Sequence, residues 1–187
     1  VTPTSTTQEE ELLRSLQGKS PQVHPEAFIS EAAYIVGDVE IAAGVNIWPG
    51  VVIRGDTGHV FIGENSCVQD NSTVHSEADA IIGPNVAIGH NVLCHADKVG
   101  QFVLIGNGAI VNGWAEIGDY CIIASGAVIL EHAKIPSYSL VVGVPARVKA
   151  QVTDEHIARI KGTIERYVER GRLYRSQGLG DSTLTEG

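Results

Sequence analysis

The sequence predicts an all-β fold, a parallel β-helix of triangular coils followed by a C-terminal α-helix, and three observations predict it. The first is a six-residue period. Aliphatic residues recur at Ile35, Ile41, Ile47 and Ile53, resume after a three-residue insertion at Ile62, Val68 and Val74, and after a two-residue insertion at Ile82, Ile88 and Cys94. One short step reaches Val99, and the period then holds through Ile105, Val111, Ile117, Ile123, Ile129, Ile135 and Val141. The second is a small or β-branched residue four positions later, as at Val45, Val86, Ala109 and Ala127, with Gly directly after the aliphatic at Gly63, Gly83, Gly106 and Gly118. The third is composition. The 187 residues include 21 Gly and are 43% hydrophobic but only 5% aromatic, which suits a narrow core of aliphatic columns.

A hexad is one short strand plus a turn. The aliphatic points inward, the small residue packs at the corner, and Gly or Asn accepts the turn geometry. Three hexads close a triangular coil, and stacked coils bury a continuous column. An ordinary sandwich would instead repeat at about 8–12 residues with variable loops. Hexapeptide sequences of this kind resemble the left-handed β-helix family, and the left-handedness is what that resemblance implies.

In chain order, residues 1–22 read as an N-terminal arm. Thr7-Gln8-Glu9-Glu10 has a capping-box pattern ahead of Leu12, Leu13 and Leu16, which predicts a short helix or else a mobile arm. Residues 23–151 form the β-helix. Residues 152–175 form a helix capped at Thr153-Asp154-Glu155, whose Ile157, Ile160, Ile164 and Val168 make one stripe to lie against the coil. Residues 176–187 read as a disordered tail.

Charge and cysteine content narrow the function. There are 13 Lys+Arg against 22 Asp+Glu, a net charge of −9. Residues 152–187 carry six basic and six acidic side chains, so the whole excess belongs to residues 1–151. That balance argues against a nucleic-acid or anionic-membrane partner, which needs clustered Lys and Arg. No apolar run approaches the roughly 20 residues that span a bilayer. The polar, acidic VTPTSTTQEEE start is unlike a signal peptide. Cys67, Cys94 and Cys121 are odd in number and lack C-x-x-C spacing, as expected of a reduced, cytoplasmic protein. Seven histidines are the feature that asks for an explanation.

Folding the hexads into coils places them. Val74 and Cys94 stack one coil apart, so His75 and His95, each following directly, share one outer face. Adjacent strands lie about 4.7–4.9 Å apart, close enough for two imidazoles to share a metal at about 2.0–2.1 Å. Arg54, following Ile53, occupies the same column one coil earlier. His90, two residues after Ile88, sits around the corner in the column of Asp70. It cannot easily converge with the other two inside one subunit but could do so across a threefold interface, so the placement predicts a homotrimer with metal sites between subunits. His24 and His156 read as surface residues, His132 as structural, and His59 as a spectator or proton carrier in the inserted loop.

With these residues placed, the chain resembles the gamma-class carbonic anhydrase family, and within it the short-loop subgroup. The matching stretches are IRGD around Arg54 and Asp56, VQD at Gln69 and Asp70, VH at His75, and IGHNVLCH at His90 and His95, with VVGVPARV at 141–148 also fitting. The resemblance implies that His75, His90 and His95 hold zinc, with iron or cobalt as alternatives. It implies reversible hydration of carbon dioxide to bicarbonate by a metal-bound hydroxide, a lyase reaction, weak in some short-loop members. Arg54 and Asp56 resemble a charged pair supporting the trimer interface, and Asp70 belongs to that network. Gln69 resembles the residue that hydrogen-bonds the metal's water, and Tyr167 a tyrosine brought near the metal. The departure lies in the proton shuttle. Asp56 is followed by Thr57 rather than an acid, and the segment after His75 is the short SEADA, where Glu77 or Asp79 could substitute.

Two other functions remain open on sequence. One is an acyl-CoA thioesterase or acyltransferase, disfavoured because the inserted loops are short. The other is a non-catalytic trimeric metal-binding scaffold.

Overall fold

In the computed structural model, which describes residues 13–180, most hexads become a two-residue strand and a turn, as at Cys67–Val68, Ala87–Ile88 and Leu104–Ile105. Parallel pairing stacks these strands into three faces of a solenoid. On one face Ile29, Ile47, Val68, Ile88, Ile105, Ile123 and Val141 align in register. A second face aligns Ile35, Ile53, Val74, Cys94, Val111 and Ile129. A third aligns Val23, Ile41, Ile62, Ile82, Val99, Ile117 and Ile135. Apart from Val23 and Ile135 at the two ends, all of these side chains are buried in one continuous core. Each fully buried aliphatic contributes about 1.5–3 kcal/mol, so the columns are the main source of stability.

The three-residue insertion after Ile53 is not a loop. Val52–Ile62 is one strand that turns a corner of the prism alongside Tyr34–Ile41, with a register shift between Gly37 and Val39. Continued pairing satisfies the backbone groups of the extra residues, which a short exposed loop would leave to water. Gly37 is required there. It has φ +83°, and a Cβ would lie 2.3 Å from the Gly55 carbonyl oxygen.

Corners elsewhere use the left-handed conformation. Gly and Asn fill it in the upper coils, including Asn65, Asn71, Asn85 and Asn91. Further down, Phe102, Trp114, Tyr120, His132 and Tyr138 adopt it with φ between +52° and +61°. An L-residue there costs about 1–2 kcal/mol. Stacking offsets the cost, at about 0.5–1.5 kcal/mol per pair. Phe102, Tyr120 and Tyr138 form one ladder, with ring centroids 5.1 and 5.0 Å apart, and Trp114 lies 4.9 Å from His132. His132 is thus structural.

The C-terminal helix spans Asp154–Ser176 and covers the first face. Thr153 accepts a hydrogen bond from the His156 amide, and the His156 ring accepts one from the Thr153 amide, so His156 completes the cap rather than standing idle on the surface. Ile160 and Ile164 bury against Cys67, Ala87 and Ile122. Gly171 lets the helix approach, since a Cβ there would stand 3.0 Å from that of Asn46. Above this seam Trp48 meets Tyr167 and Tyr174 edge-on, as Phe28 meets Tyr174, while Phe28 and Trp48 are tilted at 54°. At the base, Arg147–Gln151 pairs antiparallel with Ser139–Val142.

The described part of the N-terminal arm is extended, where the sequence predicts a short helix or else a mobile arm. Leu13–Arg14 is a strand paired with Ile35–Val36, and Leu16 bridges Lys19 around left-handed Gln17 and Gly18. Pairing gives Leu13 a place on the core, which a cluster of three leucines could not find as a detached helix. The capping pattern at Thr7–Glu10 lies outside the described residues, as does residue 181 onward in the expected tail. Among the described residues no helix is long and apolar enough to cross a membrane.

Candidate metal centre

The second face carries the histidine pair because the strand after Val74 and the turn after Cys94 are in register. Arg54 pairs with His75 across neighbouring strands, and Leu93–Cys94 pairs with Thr73–Val74. His75 and His95 therefore stack, with centroids 5.0 Å apart and planes at 27°. His75 Nδ1 and His95 Nε2 face each other at 2.9 Å. His75 is 7% exposed.

Asp56 determines which nitrogens are available. Its Oδ1 lies 2.9 Å from His75 Nε2, and its Oδ2 meets Arg54 at 3.2 Å. A carboxylate only accepts, so His75 donates from Nε2 and turns the lone pair on Nδ1 toward His95. Thr57, which had no assigned role in the sequence, donates from its hydroxyl to the Ser76 carbonyl at 2.7 Å and sits 3.3 Å from the same His75 nitrogen. Its signal was the insertion itself, which puts Thr57 beside Asp56. Glu77 reaches the pair with Oε1 4.0 Å from His95 Nε2. His75, Glu77 and His95 each present a ligand atom within 4.8 Å of the others.

Asp79 and His59 do not join this group. Asp79 accepts from the His59 amide at 2.9 Å, while the His59 ring bonds Asp38 at 3.0 Å. The Asp38 carboxyl is held below its ordinary value by hydrogen bonds from Lys19 and His59.

His90 belongs to a second group, at the corner between the first and second faces. Its Nδ1 lies 2.8 Å from Asp70 Oδ2, and its Nε2 lies 3.4 Å from the Tyr167 hydroxyl. Asp70 thus holds the proton on Nδ1, and Nε2 accepts from the phenol. Burial pushes the Tyr167 phenol above its ordinary value, so it remains a donor at neutral pH. Gln69 is on the same side, 4% exposed beneath the helix, with its amide 3.7 Å from Cys67 Sγ. Within one chain, then, Arg54, Asp56, His75, Glu77 and His95 form one group. Gln69, Asp70, His90 and Tyr167 form the other.

The first group fits a divalent cation. Two ligands of a tetrahedral ion at about 2.0–2.1 Å are about 3.3 Å apart, so the 2.9 Å pair needs only a small opening to admit one. The ring nitrogens are neutral donors of the kind zinc accepts, and Asp56 supplies the outer-shell carboxylate such ligands use.

Comparison with known proteins agrees with this architecture. The bacterial transferase hexapeptide family (six repeats) matches residues 98–131. The chain is 43% identical over 162 residues to a carbonic anhydrase of Geobacillus kaustophilus, covering 86% of this chain and 89% of that protein. It is 35% identical to the carnitine operon protein CaiE of Salmonella agona, across 76% of this chain and 73% of the other. It is 36% identical to gamma carbonic anhydrase 1, mitochondrial, of Arabidopsis thaliana, across 93% and 66%. Among solved structures, a hexapeptide transferase family protein from Anaplasma phagocytophilum superposes with a TM-score of 0.84 at 34% identity, covering 88% of this chain and 98% of that one.

Proposed function

The chain belongs to the gamma-class carbonic anhydrase family of hexapeptide-repeat proteins, and from that premise we propose that it is a metal-dependent carbonic anhydrase, working as a homotrimer on carbon dioxide and bicarbonate. The observation that carries the reading is the 2.9 Å approach of His75 Nδ1 to His95 Nε2 on an outer face, with Asp56 fixing the tautomer. His90 of a neighbouring subunit would be the third ligand. When bound, the metal, zinc or alternatively iron or cobalt, supplies the Lewis acidity that makes a water nucleophilic at neutral pH.

The chain's own residues divide the remaining work. Asp56 and Asp70 each hold a proton on one nitrogen of His75 and His90, so the other nitrogen keeps a lone pair with which it could ligate. Arg54 balances the Asp56 charge. Gln69 and Tyr167 travel with His90, so the subunit that delivers the third ligand also delivers an amide and a phenol to orient the reacting oxygen. Glu77, with its side chain 55% exposed and next to His95, is placed to pass protons to solvent.

The surface around the histidines supports association with further copies. Tyr34, Val52, Thr73, Leu93, Ile110 and Val128 align along the second face, with Tyr34 40% and Leu93 41% exposed. A row of this kind beside incomplete ligand sets favours a partner copy over solvent. Several solved relatives bear transferase names. A transferase would use a single histidine as base, and the nitrogen-to-nitrogen pairing of His75 with His95 has no part in that chemistry.

Metal analysis with stopped-flow carbon dioxide hydration, on the unaltered protein and His95→Ala, tests the reading. The unaltered protein is expected to hold one metal per chain and to turn over, and His95→Ala to lose both. A metal-free or metal-replete but inactive protein would refute the assignment.

A further inference from the structure

Two ligand groups that meet only across a subunit boundary leave open how the ion first arrives. The geometry of one chain points to an answer that rests on the carbonic anhydrase reading but adds a ligand to it. We propose that Glu77 joins His75 and His95 in a two-histidine, one-carboxylate site complete within a single chain, which captures a divalent cation such as zinc before His90 of the neighbouring subunit engages it.

The three ligand atoms already lie within 4.8 Å of one another, and among the described residues no other trio of His, Cys, Asp or Glu does so. The separations are 2.9 Å between the two ring nitrogens and 4.0 Å from His95 Nε2 to Glu77 Oε1. Tetrahedral ligands stand about 3.3 Å apart, so the first distance opens slightly and the second closes slightly. The two sides of the trio are unequally free to make that adjustment. The His75 side chain is 8% exposed and clamped by Asp56, while Glu77 is 55% exposed. The rigid partner is thus a nitrogen with its lone pair already aimed, and the mobile partner is a carboxylate at the solvent edge, where a hydrated cation would first make contact.

The alternatives fail on the same measurements. Asp56 offers its oxygens to His75 Nε2 and Arg54. Asp79 is held by the His59 amide. Asp97 accepts from Ser76 at 2.9 Å. Glu77 is left with its carboxylate facing the pair.

Charge gives the capture site a distinct chemistry. Two imidazoles and a carboxylate leave an ion with one net positive charge, whereas three imidazoles leave two. A cation held by Glu77 would gain Coulomb attraction, offset by desolvation of an exposed carboxylate, and would be a poorer Lewis acid. Exchanging Glu77 for His90 raises the acidity of the ion and frees a carboxylate beside it. The step is a ligand substitution in which one carboxylate leaves and one neutral nitrogen enters, with no redox change. It gives Glu77 two successive roles, as entry ligand and then as proton acceptor.

Four full-length proteins test this: unaltered, His90→Ala, Glu77→Gln and the double variant. Each is stripped of metal and titrated with zinc against a competing chelator, then with cobalt(II), whose visible absorption reports the ligand set. The unaltered protein is expected to bind one ion per chain. His90→Ala is expected to keep that stoichiometry with affinity lowered about 10–100-fold, and the double variant to fall at least about tenfold further. A His90→Ala protein that binds no better than the double variant overturns the proposal while leaving the three-histidine reading intact. A His90→Ala protein as tight as the unaltered one, with Glu77→Gln weakened, overturns the three-histidine reading and leaves this site standing. An unaltered protein that binds nothing overturns both. If His90→Ala proves misfolded by circular dichroism, zinc uptake by Glu77→Gln decides. Uptake slowed about tenfold or more supports an entry ligand, and unchanged uptake refutes it.

Discussion

Asp56→Asn is expected to weaken metal binding about tenfold while leaving the coil folded. Asp56 Oδ1 accepts from His75 Nε2 at 2.9 Å, and the two side chains are 26% and 8% exposed, so water screens the interaction only in part. A hydrogen bond to a charged group contributes about 1.5–3 kcal/mol. That bond exists with or without the ion, so only its strengthening counts toward affinity. Ligation draws electron density from the ring and makes the Nε2 proton more acidic, and a carboxylate responds more than an amide. Assigning about half of the bond to this response gives about 0.8–1.5 kcal/mol, or about 4- to 13-fold. Asparagine retains a carbonyl acceptor of the same shape, so the ring stays oriented and the loss is electrostatic. Arg54 loses its counter-charge, but an exposed pair of this sort contributes at most about 1 kcal/mol to stability. Chelator competition on both proteins measures the difference, with urea unfolding of the metal-free forms as control. An affinity within about twofold of the unaltered protein would show that Asp56 does not tune His75, and the tautomer argument would fall.

Core and thiol measurements extend the test. Ile88 is fully buried, and Ile88→Ala removes three carbons at about 0.8 kcal/mol each and leaves a cavity, so urea unfolding should show a loss of about 2–5 kcal/mol against about 0.5–1.5 for Ile88→Val. A loss below about 1 kcal/mol for the alanine variant would mean that the columns are not tightly packed. Burial pushes the Cys67 thiol up to about 12 and the Cys94 thiol to about 11. Both should therefore resist a thiol reagent at pH 8 until the protein unfolds, and prompt labelling of either would contradict the structure. The same shifts have a sign in stability. Above about pH 9 the unfolded chain releases these protons and the folded one retains them, so stability should fall by about 1 kcal/mol per thiol between pH 9 and 10. Cys67→Ala should remove one thiol's share of that slope.

The hexad period carried the fold because a single rule, one inward aliphatic per face, governs most coils. It also placed His75 over Arg54 and His95 over His75, since register follows directly from the count. Where the rule is broken, the sequence was less legible. The insertion at 54–59 suggested a loop, but the corner at Gly37 and Gly55 lets two strands bend together and stay paired. Thr57 was discounted for lacking charge, although its hydroxyl bridges Ser76 and His75. The aromatic corners were not foreseen, because Phe102, Tyr120 and Tyr138 occupy a conformation that propensity reserves for Gly and Asn. Only the stacking of one coil on the next compensates them, and stacking cannot be read from a local window. The placing of His75 and His95 on one face and of His90 with Asp70 around the corner did follow from the count, because a six-residue period separates faces as well as defining them; the resemblance had instead put Asp70 in the network of Arg54 and Asp56.

The three corners differ in a way that bears on assembly. The corner from the third face to the first carries the Phe102, Tyr120 and Tyr138 ladder, and the corner from the second to the third carries Trp114 and His132. Among the described residues the remaining corner, from the first face to the second, has Gly50, Asn71, Asn91, Gly108 and Gly126 at its left-handed positions. Those residues give a thin edge at low conformational cost, while aromatic corners would hold a neighbour away. The thin edge is the one that bears Asp70 and His90. It adjoins the helix-covered face, so Gln69 and Tyr167 accompany it. The apolar second face, with His75 and His95, is the surface such an edge would meet. A contact of edge against face is heterologous, and it closes without free ends only if successive rotations return to the first subunit. Three such contacts would close the proposed trimer. In the proposed trimer, the small residues at this corner would let His90 approach the His75–His95 pair of a neighbouring face as the third ligand.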